Sequence, residues 1–204
     1  MIKVFFADVS NLDLSDDRVL NALSPQRRDM TEKISNPKQK ILSAGAGLLL
    51  APALAEFGIN SITADIDHNQ YGKPYLKHHP GVYFSLSHSE NIVMCAVADS
   101  VVGCDVQYSK CVQPKVAKRF FTPNEQSKLS YAKDMQDEFT RIWVLKESYV
   151  KYLGLGISAC PLTSFDIDEI ASTVVLTEHS FADYRAAICC DQSVDTSHIQ
   201  FIKL

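Results

Sequence analysis

Four short polar runs have residue types and spacings that could do chemistry. In Trp143-x-x-Lys146-Glu147-Ser148-x-x-Lys151 a carboxylate stands beside two ammonium groups, and Glu147 and Lys151 are four residues apart, one helical turn. A carboxylate there could hold a hard cation or take a proton, and its lysine neighbour could neutralise phosphate. In Gly103-Cys104-Asp105-Val106-Gln107, strand alternation puts Asp105 and Gln107 on one face and Cys104 and Val106 on the other. An acid and an amide so placed offer two oxygens to a cation such as Mg²⁺. Ser85-Leu86-Ser87-His88-Ser89 supplies hydroxyls and an imidazole that could bind phosphate oxygens. Gly72-Lys73-Pro74 is weaker, lacking both the glycine spacing and the Lys-Ser/Thr pair of a P-loop.

Each run also has a plain structural reading when taken alone. Lys146 could snorkel out of an apolar stripe while Glu147 and Lys151 form an ordinary surface pair. Asp105 and Gln107 could line a solvent-facing strand edge, His88 could cap a turn, and Gly72-Lys73-Pro74 could be a surface turn. A Ser-His hydrolase finds no support, because there is no GxSxG elbow.

The elements that must position these runs follow from periodicity and breakers. A strand is expected over residues 2–9, a helix from the Ser24-Pro25 cap, and a second helix over about 37–57 with Lys40 in its first turn and Gly58 past its end. That helix is apolar nearly all round and reads as buried. A strand over 59–66 leads to a loop over 67–80. Extended segments follow at 82–87, 91–98 and 101–106, the last two joined by Asp99-Ser100 as a hairpin. Helical material is expected over 122–131 and 137–153, stopped by Gly154. At about 100° per residue, Phe139, Ile142, Trp143, Tyr149, Val150 and Leu153 share one arc, with Lys146 in its middle. Short strands complete the chain near 164–167, 173–176, 184–190 and 199–203. A faint echo between 89–99 and 180–191, each a polar start running into a small-residue strand, hints at two related halves.

Composition narrows the function. With 204 residues, 46% hydrophobic and 22% charged, the chain reads as an ordinary globular domain or two small packed halves. Twenty Lys and Arg against 24 Asp and Glu leave −4, so no global basic field exists to hold nucleic acid. The six cysteines form no CxxC pair, which argues against structural zinc. The longest uncharged stretch, 41–55, falls short of the roughly 20 residues of a membrane span and contains Pro52. With no leader of basic-then-apolar type, a cytoplasmic protein without membrane or nucleic-acid partners is expected.

Order and combination decide between the plain readings and chemistry. Gly-Lys-Pro, Ser-His-Ser, Gly-Cys-Asp-Val-Gln and Trp-x-x-Lys-Glu-Ser-x-x-Lys occur in that sequence, with Asp105 and Glu147 42 residues apart. This resembles the Sfp-type 4′-phosphopantetheinyl transferases over roughly residues 40–156, and more loosely over the whole chain. The resemblance implies an α+β fold, 1–204, of two pseudo-symmetric halves (about 1–103 and 104–204), each an antiparallel sheet packed on a long helix. It also implies transfer of the phosphopantetheine arm of coenzyme A to a serine of an acyl, peptidyl or polyketide carrier protein, releasing adenosine 3′,5′-bisphosphate. Asp105, Gln107 and Glu147 would hold Mg²⁺, with Mn²⁺ as the alternative. Glu147 would be the base, Lys151 would neutralise the pyrophosphate, and Lys146 would add charge beside it. Ser87 and His88 would contact coenzyme A phosphates, and Gly72, Lys73 and Pro74 would surround the adenine and ribose. Lys40 and one of Arg27 or Arg28 are candidates for the 3′-phosphate, and a monomer is expected. Many members of the family read Asp-x-Glu where this chain has Asp105-Val106-Gln107, which predicts weaker metal binding. Glu125 falls where an acid often follows a Phe-Phe turn, without an assigned role. The acid-free run 108–124, with Lys110, Lys115, Lys118 and Arg119, could steer an acidic carrier. The rival readings are a non-catalytic coenzyme A-binding module, a Mg²⁺-dependent phosphohydrolase and a plain interaction domain.

Overall fold

The structure, a computed structural model, describes residues 1–109 and 113–204, so Lys110 and Cys111 lie outside the described residues. The first part of the chain runs β1 (Ile2–Asp8), α1 (Asp17–Asn21), α2 (Pro25–Glu32), α3 (Pro37–Ala55), β2 (Ile66–His68), β3 (Pro74–Leu76), β4 (Tyr83–Ser89) and β5 (Ile92–Ala98). The second runs β6 (Val102–Tyr108), α4 (Pro114–Phe120), α5 (Pro123–Tyr131), α6 (Met135–Leu153), α7 (Ile167–Ile170), β7 (Val175–Phe181), β8 (Tyr184–Cys190) and β9 (Ile199–Phe201).

Local chemistry sets the helix ends. Ser24 and Asn36 cap α2 and α3 from their side chains, each with proline at the first helical position. Thr122 and Glu125 form a capping box at α5. Asp134 opens α6, and Gly154 closes it in the left-handed conformation at φ +71.

The strands form two main sheets, ordered β4-β5-β1-β9 and β6-β8-β7. All pairings in them are antiparallel except β1 with β9. Helix α3 covers one face of the first sheet, burying Phe5, Leu49, Val93 and Cys95 between them. The other face packs on the second sheet through Val4, Phe6, Met94, Cys104, Val106 and Ile188. Both faces of β5 are therefore covered, which is why its sequence is a continuous apolar run. Helix α6 lies on the outer side of the second sheet with α5 beside it, over Phe121, Phe139, Ile142 and Leu145.

Several expectations are corrected. Residues 59–66 are turns up to the first residue of β2, and the expected loop 67–80 contains the hairpin β2–β3, Ile66 opposite Leu76. Residues 162–170 carry short helical turns instead of a strand, because Asp166 and Glu169 make a capping box. Asp99-Ser100 is no hairpin: β5 and β6 belong to different sheets, and this link carries the chain from one to the other. On α6, Leu153 is exposed, while Val144, Leu145 and Ser148 are buried off the expected arc, because the helix is covered on two sides. Among the described residues no helix is long and apolar enough to cross a membrane.

Candidate active site where β6, β4 and α6 meet

Gly103 sets the distance between strand and helix. A Cβ there would lie 2.1 Å from Ser148 O and 2.2 Å from Tyr152 N, so the backbone of α6 rests directly on β6. That contact brings Asp105, two residues along the strand, against Glu147 and Lys151 on the helix.

Asp105 is 2% exposed and fully engaged. Its Oδ1 accepts from Ser87 Oγ at 2.6 Å and from Lys151 Nζ at 2.7 Å, and its Oδ2 accepts from Gln107 Nε2 at 3.2 Å. Ser89 Oγ donates to Gln107 Oε1 at 3.4 Å. The solvent-edge reading of this strand is thereby excluded. The serines of β4 also receive backbone donors of β6: Cys104 N to Ser85 Oγ at 3.0 Å, Val106 N to Ser87 Oγ at 3.3 Å and Tyr108 N to Ser89 Oγ at 2.9 Å. This serine ladder joins the two sheets without strand pairing.

The electrostatics favour a cation. Burial, then the Asp105 charge, raises the Glu147 carboxyl to about 7, against a smaller opposing effect of Lys151. Burial alone would lower the pKa of Lys151, but the adjacent carboxylates, Asp105 foremost, outweigh it and keep the ammonium charged. Among the described residues no three His, Cys, Asp or Glu gather into a metal site. Asp105 and Glu147 are two hard carboxylates whose mutual repulsion a divalent cation would relieve, so the donor set fits Mg²⁺ if phosphate and water complete the shell. Gln107 presents its NH₂ to Asp105, so to ligate through oxygen it must turn over.

A cavity of about 240 Å³ opens beside Lys151, lined by residues 71–74, Ser85, Leu86 and Leu155. Gly72, Lys73 and Pro74 are thus brought to the same cavity as Lys151. The Lys73 ammonium is turned inward, donating to Val102 O and Tyr152 O at 3.1 Å each, and burial lowers its pKa to about 8. Gln107 itself lines a second cavity of about 360 Å³, walled also by Tyr108, Gln113, Val116, Phe139, Thr140 and Trp143.

Other expected site residues are placed differently. Lys146 is fully buried, its three protons donated to Glu125 Oε1 and Oε2 at 2.7 Å and to Phe165 O at 2.8 Å, so it has none for a ligand. The missing role of Glu125 is the same fact: it neutralises Lys146 and also accepts from Ile167 N at 3.1 Å. Ser87 is buried, its hydroxyl donating to Asp105 Oδ1 and accepting from Val106 N. His88 is exposed yet close to the charged groups of the site: burial and then the Lys151 charge lower its pKa, against a smaller opposing effect of Asp105. Lys40, half-buried in α3, is not among the residues lining the cavity beside Lys151; the neighbouring Lys38 of that first turn pairs with Glu90. Arg28 is engaged with Leu20 O and Asn21, whereas Arg27 lines a cavity of about 190 Å³ with His68 and Pro74. Asn69, which bonds Gly154 O, escaped sequence reasoning; its place two residues before the Tyr-Gly-Lys-Pro run was the available signal.

Comparison with known proteins agrees with this geometry. Residues 101–198 match the family model described as the 4′-phosphopantetheinyl transferase superfamily. A 4′-phosphopantetheinyl transferase of Bacillus subtilis is 31% identical over 155 residues, 74% of this chain and 69% of that protein. Another, from Aneurinibacillus migulanus, is 28% identical over all of this chain and 92% of its own length. A crystal structure of a holo-(acyl-carrier-protein) synthase from Bacillus anthracis in complex with CoA overlaps 47% of this chain and 91% of its own, at 14% identity and a TM-score of 0.40, too slight a likeness to inform the site. On the identity and coverage of the Bacillus subtilis relative, and with the acid-bearing strand packed on the Lys-Glu helix, the chain belongs to the 4′-phosphopantetheinyl transferase superfamily.

Proposed function

We propose that Asp105, Glu147 and Lys151 transfer the 4′-phosphopantetheine arm of coenzyme A to a serine of a carrier protein. The carrying observation is that one strand–helix contact at Gly103 gathers two carboxylates and one unsealed ammonium at the mouth of a cavity. The adenosine end of coenzyme A would lie against residues 71–74, with Arg27 near Pro74 the better candidate of the two arginines for its 3′-phosphate. The pyrophosphate would meet Lys151, and the arm would continue past Gln107 into the aromatic-walled cavity.

Glu147 takes the proton of the carrier serine, and the freed oxygen bonds to the phosphorus that bears the pantetheine. The bond from that phosphorus to the departing adenosine 3′,5′-bisphosphate breaks, and Lys151 stabilises the charge left on its oxygen. Ser87 and Gln107 hold Asp105 in place. A magnesium ion on Asp105 and Glu147 would polarise the pyrophosphate.

Helix α4, which reaches the aromatic-walled cavity through Val116, carries the exposed Lys115, Lys118 and Arg119, which suits an acidic carrier docking with its serine toward Glu147. The order strand, long helix, hairpin occurs as β1, α3, β4–β5 and as β6, α6, β7–β8, which supports two related halves with β9 crossing back to the first. One observation favours a non-catalytic coenzyme A-binding module: Gln107 turns a donor, not a ligand, toward Asp105. Intact mass of an apo carrier incubated with coenzyme A, Mg²⁺ and this protein separates the two. A gain of one phosphopantetheine, lost in Glu147→Ala and in a Ser→Ala carrier, supports transfer; no gain with several carriers, while coenzyme A still binds, supports the module.

A further inference from the structure

Two walls of the cavity beside Lys151, residues 71–74 and the last turn of α6, come from distant parts of the chain. No strand pairing links them, since β2 and β3, which flank that loop, pair only with each other. Side chains make the connection. Asn69 Nδ2 donates to Gly154 O at 2.8 Å, and Lys73 Nζ donates to Tyr152 O and Val102 O. Carbonyls at the end of a helix lack partners within it and carry the negative end of its dipole, so these donors satisfy groups that would otherwise need water.

Asn69 does a second thing with its other atom. Oδ1 accepts from Tyr71 N and from Lys73 N, each at 2.9 Å, while Asn69 N donates to Lys73 O and Asn69 O accepts from Gly72 N. One amide therefore shapes the loop with its oxygen and anchors it to the helix with its nitrogen. Gly154 admits the contact: a Cβ there would fall 3.1 Å from Lys73 Cδ and 3.2 Å from Asn69 Nδ2.

We propose that Asn69, together with Lys73, is a positioning latch that fixes the nucleotide-facing loop relative to Lys151, so that both walls are set before ligand arrives. This rests on the reading that coenzyme A occupies this cavity. Neither residue is catalytic in this role. Without the latch, coenzyme A must order the loop itself, and that cost falls on its affinity. Turnover at saturating coenzyme A is preserved, because Asp105, Glu147 and Lys151 are held by β6, β4 and α6 instead.

Asn69→Asp isolates the bridge. It keeps an acceptor for Tyr71 N and Lys73 N, removes the donor to Gly154 O and sets a negative charge at the helix end. Asn69→Ala removes both functions and serves as the second variant. Coenzyme A is titrated calorimetrically into wild type and both variants with Mg²⁺ present, and carrier modification is followed by mass with each substrate varied. The latch predicts that Kd and KM for coenzyme A rise about five- to tenfold in Asn69→Asp, the worth of one hydrogen bond, with carrier KM and kcat unchanged. A lower melting temperature with unchanged coenzyme A affinity overturns the latch and leaves Asn69 a fold-stabilising residue. A fall in kcat with unchanged KM for coenzyme A also overturns it. Wild type that fails to bind coenzyme A overturns the reading of the cavity itself, and the latch with it.

Discussion

Helix α6 carries two lysine–carboxylate pairs five residues apart, each closed at 2.7 Å, and they have opposite characters. Lys146 and Glu125 are sealed, at 0% and 1% exposed, and every proton of the ammonium is committed. Lys151 is 30% exposed, has a single hydrogen bond described, to Asp105, and lines the open cavity. Residue type and helix are shared, so the surroundings decide: an ammonium with its valences filled is architecture, and one with protons to spare can meet a phosphate.

The comparison can be broken most severely at the open pair's neighbour. Glu147→Gln is expected to reduce turnover by about 10²–10⁴-fold, the usual contribution of a general base, with the fold intact; rapid-quench or mass assays measure it. At the sealed pair the effect should appear in stability. Lys146→Met leaves Glu125 a buried, unpaired charge and should cost about 3–5 kcal/mol in urea unfolding, part of it recovered in Lys146→Met with Glu125→Gln. A Lys146→Met protein that is fully stable but inactive would reverse the assignment.

A pH experiment sharpens the contrast. The folded pKa of Glu147, about 7, lies above its ordinary 4.5, so the folded state keeps a proton that the unfolded chain releases across that interval. Its contribution to stability is full below pH 4.5 and is lost as pH rises through about 7. Glu147→Gln removes that loss and should gain about 1–2 kcal/mol on wild type between pH 5 and pH 8 in metal-free buffer, after allowance for solvent screening. A constant difference would sink this account.

Smaller effects are expected around the site. Gln107→Glu adds a third carboxylate and should tighten Mg²⁺ binding about tenfold by calorimetry and lower the Mg²⁺ needed for half-activation; identical metal curves would show that Gln107 is irrelevant to the ion. Charge reversal of Lys115 and Lys118 should raise the carrier KM a few-fold, with the effect shrinking in high salt, and spare coenzyme A affinity. Unchanged carrier kinetics would remove α4 from the docking surface.

What was legible in the sequence tracks what is local. Helix caps at Ser24-Pro25 and Gly154 were readable, because a cap is a short-range device. The Asp105/Gln107 face was readable from alternation, and the Glu147/Lys151 turn from helical period. Partner choice was not. Lys146 looked like a second phosphate ligand until Glu125, 21 residues earlier, proved to meet it. The hydroxyl of Ser87 looked free until β6 came alongside, and Asp99-Ser100 looked like a hairpin turn because nothing local says that the next strand changes sheet. Asn69 resembled any turn residue, since its partner Gly154 lies 85 positions away.

The serine ladder also matters for solubility. Strands β4 and β6 are each the last strand of their sheet, and an unpaired row of N–H groups invites a strand from another chain. Ser85, Ser87 and Ser89 occupy that row on β6 with hydroxyls, so the two inward edges are closed to intermolecular pairing. Alanine at these three positions would leave donors uncovered beside the reacting groups, and the same change that loosens Asp105 would expose a template for aggregation.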